Sequence, residues 1–240
     1  MLVTITIIRY KKRYIFFALM AMAIHRLSFL FNQNISFYKL LGCGKNGTFD
    51  KHPDWQQWGI IAVHKITPDT SLNFCDKNIQ QLYGSFIFKW IEFFNCETWT
   101  VFLEPLEGHG VWDGKPVFGS TFNKINHLGV IAVLTRATIR ISKLNSFWKN
   151  VDAVARQMNG SAGFIFSIGI GELPFIKQAT FSIWKDSQSM KKFAYQMQEH
   201  TEVIKKTRKE NWYSEEMFVR FKPIKSVGSI KGCNPLEGML

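Results

Sequence analysis

One order of elements occurs twice in this chain, and that constrains its fold more than any other feature. Residues 2–9 alternate as Val3-Thr4-Ile5-Thr6-Ile7-Ile8 and predict a strand. After it come a helix at about 13–28, strands near 36–42 and 58–64, a helix at about 68–80 and a strand around 97–104. The second half repeats the series: a strand at 129–136, a helix at 143–159, strands at 163–169 and 177–184, a helical stretch from 187 to 209 and a strand at 217–222. Each half therefore reads β-α-β-β-α-β. A local trace of the duplication survives, since Phe37-x-x-x-Leu41-Gly42-x-Gly44 recurs as Phe164-x-x-x-Ile168-Gly169-x-Gly171 at the end of the corresponding strand.

That order is the ferredoxin-like α+β unit, which leaves one sheet face without helices. Two fused units can cover that face by packing sheet to sheet, the arrangement of a dimeric-type α+β barrel with an apolar interior. The expected boundaries are 1–104 for the first repeat, 105–128 for a Gly- and Pro-containing connector, and 129–240 for the second repeat with a C-terminal extension. The helix at 68–80 has a clear start: Thr67 can cap it, Pro68 suits its first position and Asp69 complements the dipole. In helix 143–159, Leu144, Phe147, Trp148, Val151, Val154, Ala155 and Met158 recur at spacings of three and four, and Gly160 sits where a C′ glycine belongs.

Composition narrows the function classes. Aromatic residues make up 15% of the 240 residues, with 22 Phe and 8 Trp, which suits large cores or apolar ligand pockets. A net charge of +12 favours anionic partners: nucleic acid, phospholipid head groups, an acidic redox protein or cofactor carboxylates. Cys43, Cys75, Cys96 and Cys233 form no C-x-x-C pair, so neither a disulfide scaffold nor a structural zinc is expected, and a reducing cytoplasm fits. The run from Arg9 to Arg13, followed by apolar Tyr14–Ile24 with Ala21-Met22-Ala23, copies a signal-peptide layout. Against that reading, a strand precedes the basic cluster, and His25-Arg26 ends the apolar run short of the ~20 residues of a spanning helix.

Several motifs are ambiguous. Gly42-Cys43-Gly44-Lys45-Asn46-Gly47 satisfies G-x-G-x-x-G, but no apolar-periodic helix follows and no acid closes the next strand, so a turn or close backbone approach is expected. Gly163-Phe164-Ile165-Phe166 partly matches an RNA-recognition strand but lacks the leading basic residue, and no nucleic-acid role is expected. Met190, Phe193, Met197, His200 and Ile204 fall on one side of a helix, which turns the His200 imidazole inward, as a hydrogen-bonded core group or as a ligand. Arg136, Arg140 and the basic stretch at 205–209 are either surface cations or partners for carboxylates beside an apolar cavity. No Ser-His-Asp or Cys-His pairing and no carboxylate cluster stands out.

Taken as blocks, these segments carry a resemblance. Leu134-Thr-Arg-Ala-Thr-Ile-Arg140, Phe166-Ser-Ile-Gly-Ile-Gly-Glu-Leu-Pro174, Gln178-Ala-Thr-Phe-Ser-Ile-Trp184, Phe193-Ala-Tyr195, His200 and Trp212-Tyr-Ser-Glu-Glu-Met-Phe-Val-Arg-Phe221 occur in that order. Together with Phe37-Tyr-Lys-Leu-Leu-Gly42 and Trp99-Thr-Val-Phe-Leu-Glu-Pro105, the chain resembles the spheroidene monooxygenase family, the acyclic carotenoid 2-ketolases, over residues 3 to 238.

The resemblance implies a haem-dependent monooxygenase that uses O2 and a ferredoxin-type electron donor. Its expected substrate is an acyclic carotenoid or related polyene, oxygenated at C2 to a hydroxy and then a keto product. It further implies His200 as the iron ligand, with Arg136, Arg208 and Arg220 as cofactor partners, and His109 or His25 next in line as ligands. The expected location is cytoplasmic, with peripheral contact at the inner face of the membrane. The alternative is a non-catalytic haem or lipophile-binding protein of the same fold. Cys43 and Lys45-Asn46 depart from the glycine-rich loop expected at that point, which leaves substrate choice open to another polyene.

Overall fold

The structure, a computed structural model, describes residues 1–45, 51–65, 78–119, 127–196 and 206–240. The chain divides into two units, one of Met1–Cys43, Asp54–Glu104 and Pro223–Leu240, the other of Gly44–Pro53 and Pro105–Lys222.

In the first unit, β1 (Leu2–Arg9) runs antiparallel to both β3 (Pro53–His64) and β4 (Glu97–Gly110), which makes it an inner strand. Residues 2–9, which precede the signal-like segment, are thus built into the folded sheet. An inner strand is covered on both faces, so Val3, Ile5 and Ile7 are buried on one side and Leu2, Thr4, Thr6 and Ile8 on the other. The second set faces the helices α1 (Ile15–Leu30), α2 (Ile79–Tyr83) and α3 (Ser85–Phe93), joining one core with Ala18, Ala21, Phe29, Tyr83, Ile87 and Ile91. β2 (Ile35–Gly44) follows α1.

Two threonines under helices need hydrogen-bond partners. They find them in Tyr83, whose hydroxyl lies 3.0 Å from Thr4 Oγ1 and 2.7 Å from Thr6 Oγ1. His64 Nε2 (2.8 Å) and Thr100 Oγ1 (2.8 Å) extend the chain. Burial pushes the Tyr83 phenol up to about 12, so it stays protonated and ties α2 to the sheet. The helix start expected at Thr67 lies outside the described residues. Instead Asn78 and Gln81 form a capping box for α2, and Gly84, at φ 98°, turns the chain into α3.

The second unit repeats the plan. β5 (Ile131–Ile139) pairs with β7 (Lys177–Trp184) and β8 (Tyr213–Gly228), while β6 (Phe164–Leu173) pairs with β7. The helices are α4 (Leu144–Asn159) and α5 (Ser187–Gln196). A short 3-10 turn precedes both α1 and α4, and each of these helices has 16 residues, so the duplication extends to the entry into the helix. Phe164, from the partial RNA-recognition match, sets its ring 5.5 Å from Trp184 within the core that α5 covers. The strands hydrogen-bond in the order β1-β3-β2-β6-β7-β5-β8-β4 and close into a barrel, so the fold is two fused ferredoxin-like repeats.

β4 and β8 outrun their predicted ends, and each contributes to both units. Residues 223–240 join the first unit through Glu97, whose carboxylate accepts from the Gly232 N–H (2.6 Å), the Lys231 N–H (3.0 Å) and the Ser229 hydroxyl (2.9 Å). Trp99 Nε1 donates to Ser226 Oγ at 2.7 Å.

Candidate functional site

In the second unit the face of β5 that carries Ile131 and Val133 is the one that α5 covers, with Met190 and Phe193 of the helix packed on it. A cleft of about 740 Å³ opens where this face meets the start of α5. Leu106, Leu128 and Ile131 form its apolar wall, Asp186, Ser187, Gln188 and Lys191 its helical rim, and Glu107, His127 and Arg220 its polar side. That volume lies within the range of small-molecule and cofactor sites.

The polar groups are held in place. Asp186 accepts from the Ser189 N–H at 2.7 Å, and this bond, more than any other effect, holds its carboxyl below the usual range. His127 Nε2 lies 2.9 Å from the Val130 carbonyl, which can only accept, so that nitrogen carries the proton. Arg220 is buried and its Nη1 donates to Glu107. Its guanidinium carbon lies 5.5 Å from the centre of the Phe218 ring, on which His109 stacks at 5.7 Å. The Nε of Arg220 is buried with no partner among the described residues, an arrangement that favours an added acceptor.

The three arginines grouped in the sequence reading do not share a place. Arg220 is the direct partner of Val133 across β5 and β8, and Arg136 stands three positions from Val133 on β5. Period-two alternation therefore puts Arg136 on the opposite face of the sheet. There it is 1% exposed, and its charge is met by protein carboxylates. Nη1 donates to Glu215, and Nη2 lies 3.3 Å from Glu172 and 3.6 Å from Asp113. Lys177 reaches Asp113 at 2.9 Å.

Glu215 also accepts the N–H groups of Asp113 (3.1 Å) and Gly114 (2.9 Å), which closes the turn after Trp112. Burial alone would raise its carboxyl, but these bonds and Arg136 outweigh burial and hold it low. Arg208 is exposed. His200, the proposed ligand, lies outside the described residues. His25 is buried on α1 between Phe86 and Trp90, with its Nε2 unpartnered. Among the described residues no group of three or more His, Cys, Asp or Glu side chains is placed to hold a metal ion.

Sequence reasoning missed Glu107, His127, Asp186 and Lys191 at the cleft, because they come from three separate segments and match no motif. The start of α5 offered one usable signal, an Asp before Ser-Gln-Ser, which is a capping pattern.

The fold defines a class, the fused ferredoxin-like barrel, and the structure of an aldoxime dehydratase shares it, with a TM-score of 0.60 at 9% identity over 99% of this chain and 86% of that one. No protein-family profile matches the chain. It is 33% identical over 216 residues to the spheroidene monooxygenase of Cereibacter sphaeroides, covering 90% of this chain and 64% of that protein's length. To the Rhodobacter capsulatus spheroidene monooxygenase it is 31% identical over 203 residues, 84% of this chain and 81% of that protein. The chain belongs to the spheroidene monooxygenase family.

Proposed function

We propose that this protein is a haem-dependent monooxygenase that oxygenates an acyclic carotenoid or related polyene at C2, first to a hydroxy and then to a keto product. The observation that carries the reading is the 31% identity to a spheroidene monooxygenase across 81% of that protein's length. The cleft against α5 supports it, because its residues suit a flat apolar group bearing carboxylates. Leu106 and Ile131 offer an apolar wall, and donors come from Lys191 and from buried Arg220, whose Nη1 is held by Glu107 and whose Nε is unpartnered.

When bound, the haem supplies O2 activation and one-electron chemistry, with electrons from a ferredoxin-type donor. His200 would hold the iron, and Arg220 and Lys191 would hold the carboxylates. Arg136 takes no part in this assignment, since Glu215, Glu172 and Asp113 already neutralise it. The apolar wall would exclude water and orient the end of the polyene.

The test is an absorption spectrum of protein expressed with a haem supply, before and after dithionite and carbon monoxide. A Soret band at near-stoichiometric haem that shifts with carbon monoxide, and is lost or displaced in His200→Ala, supports the reading. An unchanged spectrum in His200→Ala removes the ligand assignment. No band after haem titration removes the haem.

A further inference from the structure

The outer side of α1 is apolar in a way that packing within the first unit does not use. Ala18, Ala21, His25 and Phe29 are its buried stripe, and the two alanines let the helix lie close to the sheet. Opposite them Phe16, Met20, Leu27 and Phe31 recur along the exposed face, with Phe31 82% exposed. An ordinary surface helix carries polar residues there. The segment Lys12–Leu30 is apolar and long enough to pass for a membrane span by composition, yet its inner stripe is committed to the protein core.

The apolar band continues onto α3. Phe17, 37% exposed, and Phe93, 81% exposed, both pack on buried Phe94, with ring centroids 4.8 and 4.9 Å away. Contiguous exposed apolar surface of this kind marks an interaction site. Its charged neighbours decide what binds. Lys11, Lys12 and Arg13 are exposed at the entry to α1, Arg26 flanks the stripe and Lys89 lies beside Phe86 and Phe93, against a single acid, Glu92 of α3.

We infer that the α1–α3 face docks the protein on the surface of an anionic phospholipid bilayer, with the aromatic band in the acyl boundary and the cations among the head groups. A second copy fits poorly, because a twofold interface buries the same patch from both subunits, and with it two copies of a cation set that outnumbers its acids. Anionic lipid meets both features at once: it buries the apolar area, and its head groups attract each basic residue near the surface. The inference is independent of the cofactor and of the reaction.

The test uses the full-length protein and sedimentation with vesicles of equimolar phosphatidylglycerol and phosphatidylcholine, against phosphatidylcholine alone. Binding tighter by roughly ten-fold or more to the anionic vesicles, weakened by salt, is expected. Phe16→Ser with Leu27→Ser and Phe31→Ser should weaken it by roughly a hundred-fold, with an unchanged melting temperature. Should that variant misfold, Lys12→Glu with Arg13→Glu and Arg26→Glu should abolish the anionic preference. Three results would overturn the inference: no binding to either vesicle at low salt, retention in membranes through alkaline carbonate, or a solution dimer that the serine variant dissociates.

Discussion

Arg136 and Trp112 are stacked: the guanidinium carbon lies 5.0 Å from the indole centroid, and both side chains are about 1% exposed. The indole Nε1 donates to Glu172 at 2.8 Å, and Glu172 is also a partner of Arg136. One buried cation thereby holds the turn that follows β4 to the strands β6 and β8. Removing it takes the shared cation from three carboxylates, two of them, Glu172 and Glu215, largely buried. Arg136→Ala is expected to cost about 3–5 kcal/mol. Arg136→Lys should recover part of this, keeping the charge but not the fork or the ring contact. Urea unfolding of the three proteins measures both differences.

His25 sets a pH limit on the first unit. Burial lowers its pKa to about 4 from an ordinary value near 6.5, since the imidazolium would lose its hydration among Phe86 and Trp90. Between those values the unfolded chain binds a proton that the folded protein does not. Stability is thus full above about pH 6.5 and falls as the pH drops toward 4. The His25→Phe variant should lose this slope, and thermal melts across that window would show a flatter profile than in the parent.

The two remaining arginines of the sequence reading should separate in a haem titration. Arg220→Ala removes a buried donor at the cleft and is expected to weaken haem binding by roughly ten-fold. Arg208→Ala, at an exposed position, should leave the affinity unchanged. Equal effects of the two substitutions would place the carboxylates elsewhere.

How much of this was legible in the sequence depended on how far each signal is local. The alternation at Val3–Ile8 and the periodicity of 144–158 name elements directly, because each reports one face of one element. The end of β4 did not, since Pro105, Gly108 and Gly110 resemble a connector. In the structure these two glycines mark a close approach of β4 to β8: a Cβ would meet the Phe218 carbonyl at 2.7 Å from position 108 and the Glu216 carbonyl at 2.1 Å from position 110. The partners of Arg136 were illegible for the same reason. Asp113, Glu172 and Glu215 come from three separate segments, and only strand pairing gathers them at Arg136. The family resemblance grouped Arg136 and Arg220 as cofactor partners, whereas the register of β5 and β8 turns them to opposite faces.

The most direct test of the account is the origin of the oxygen. The haem-loaded protein, a reduced ferredoxin-type donor and an acyclic carotenoid would react under isotopically heavy dioxygen. The hydroxy product would then be weighed by mass spectrometry before its ketone can exchange with water. The account predicts heavy oxygen at C2, absent without the donor. A hydroxyl that carries only solvent oxygen, or a polyene returned unchanged by haem-loaded protein, would contradict it.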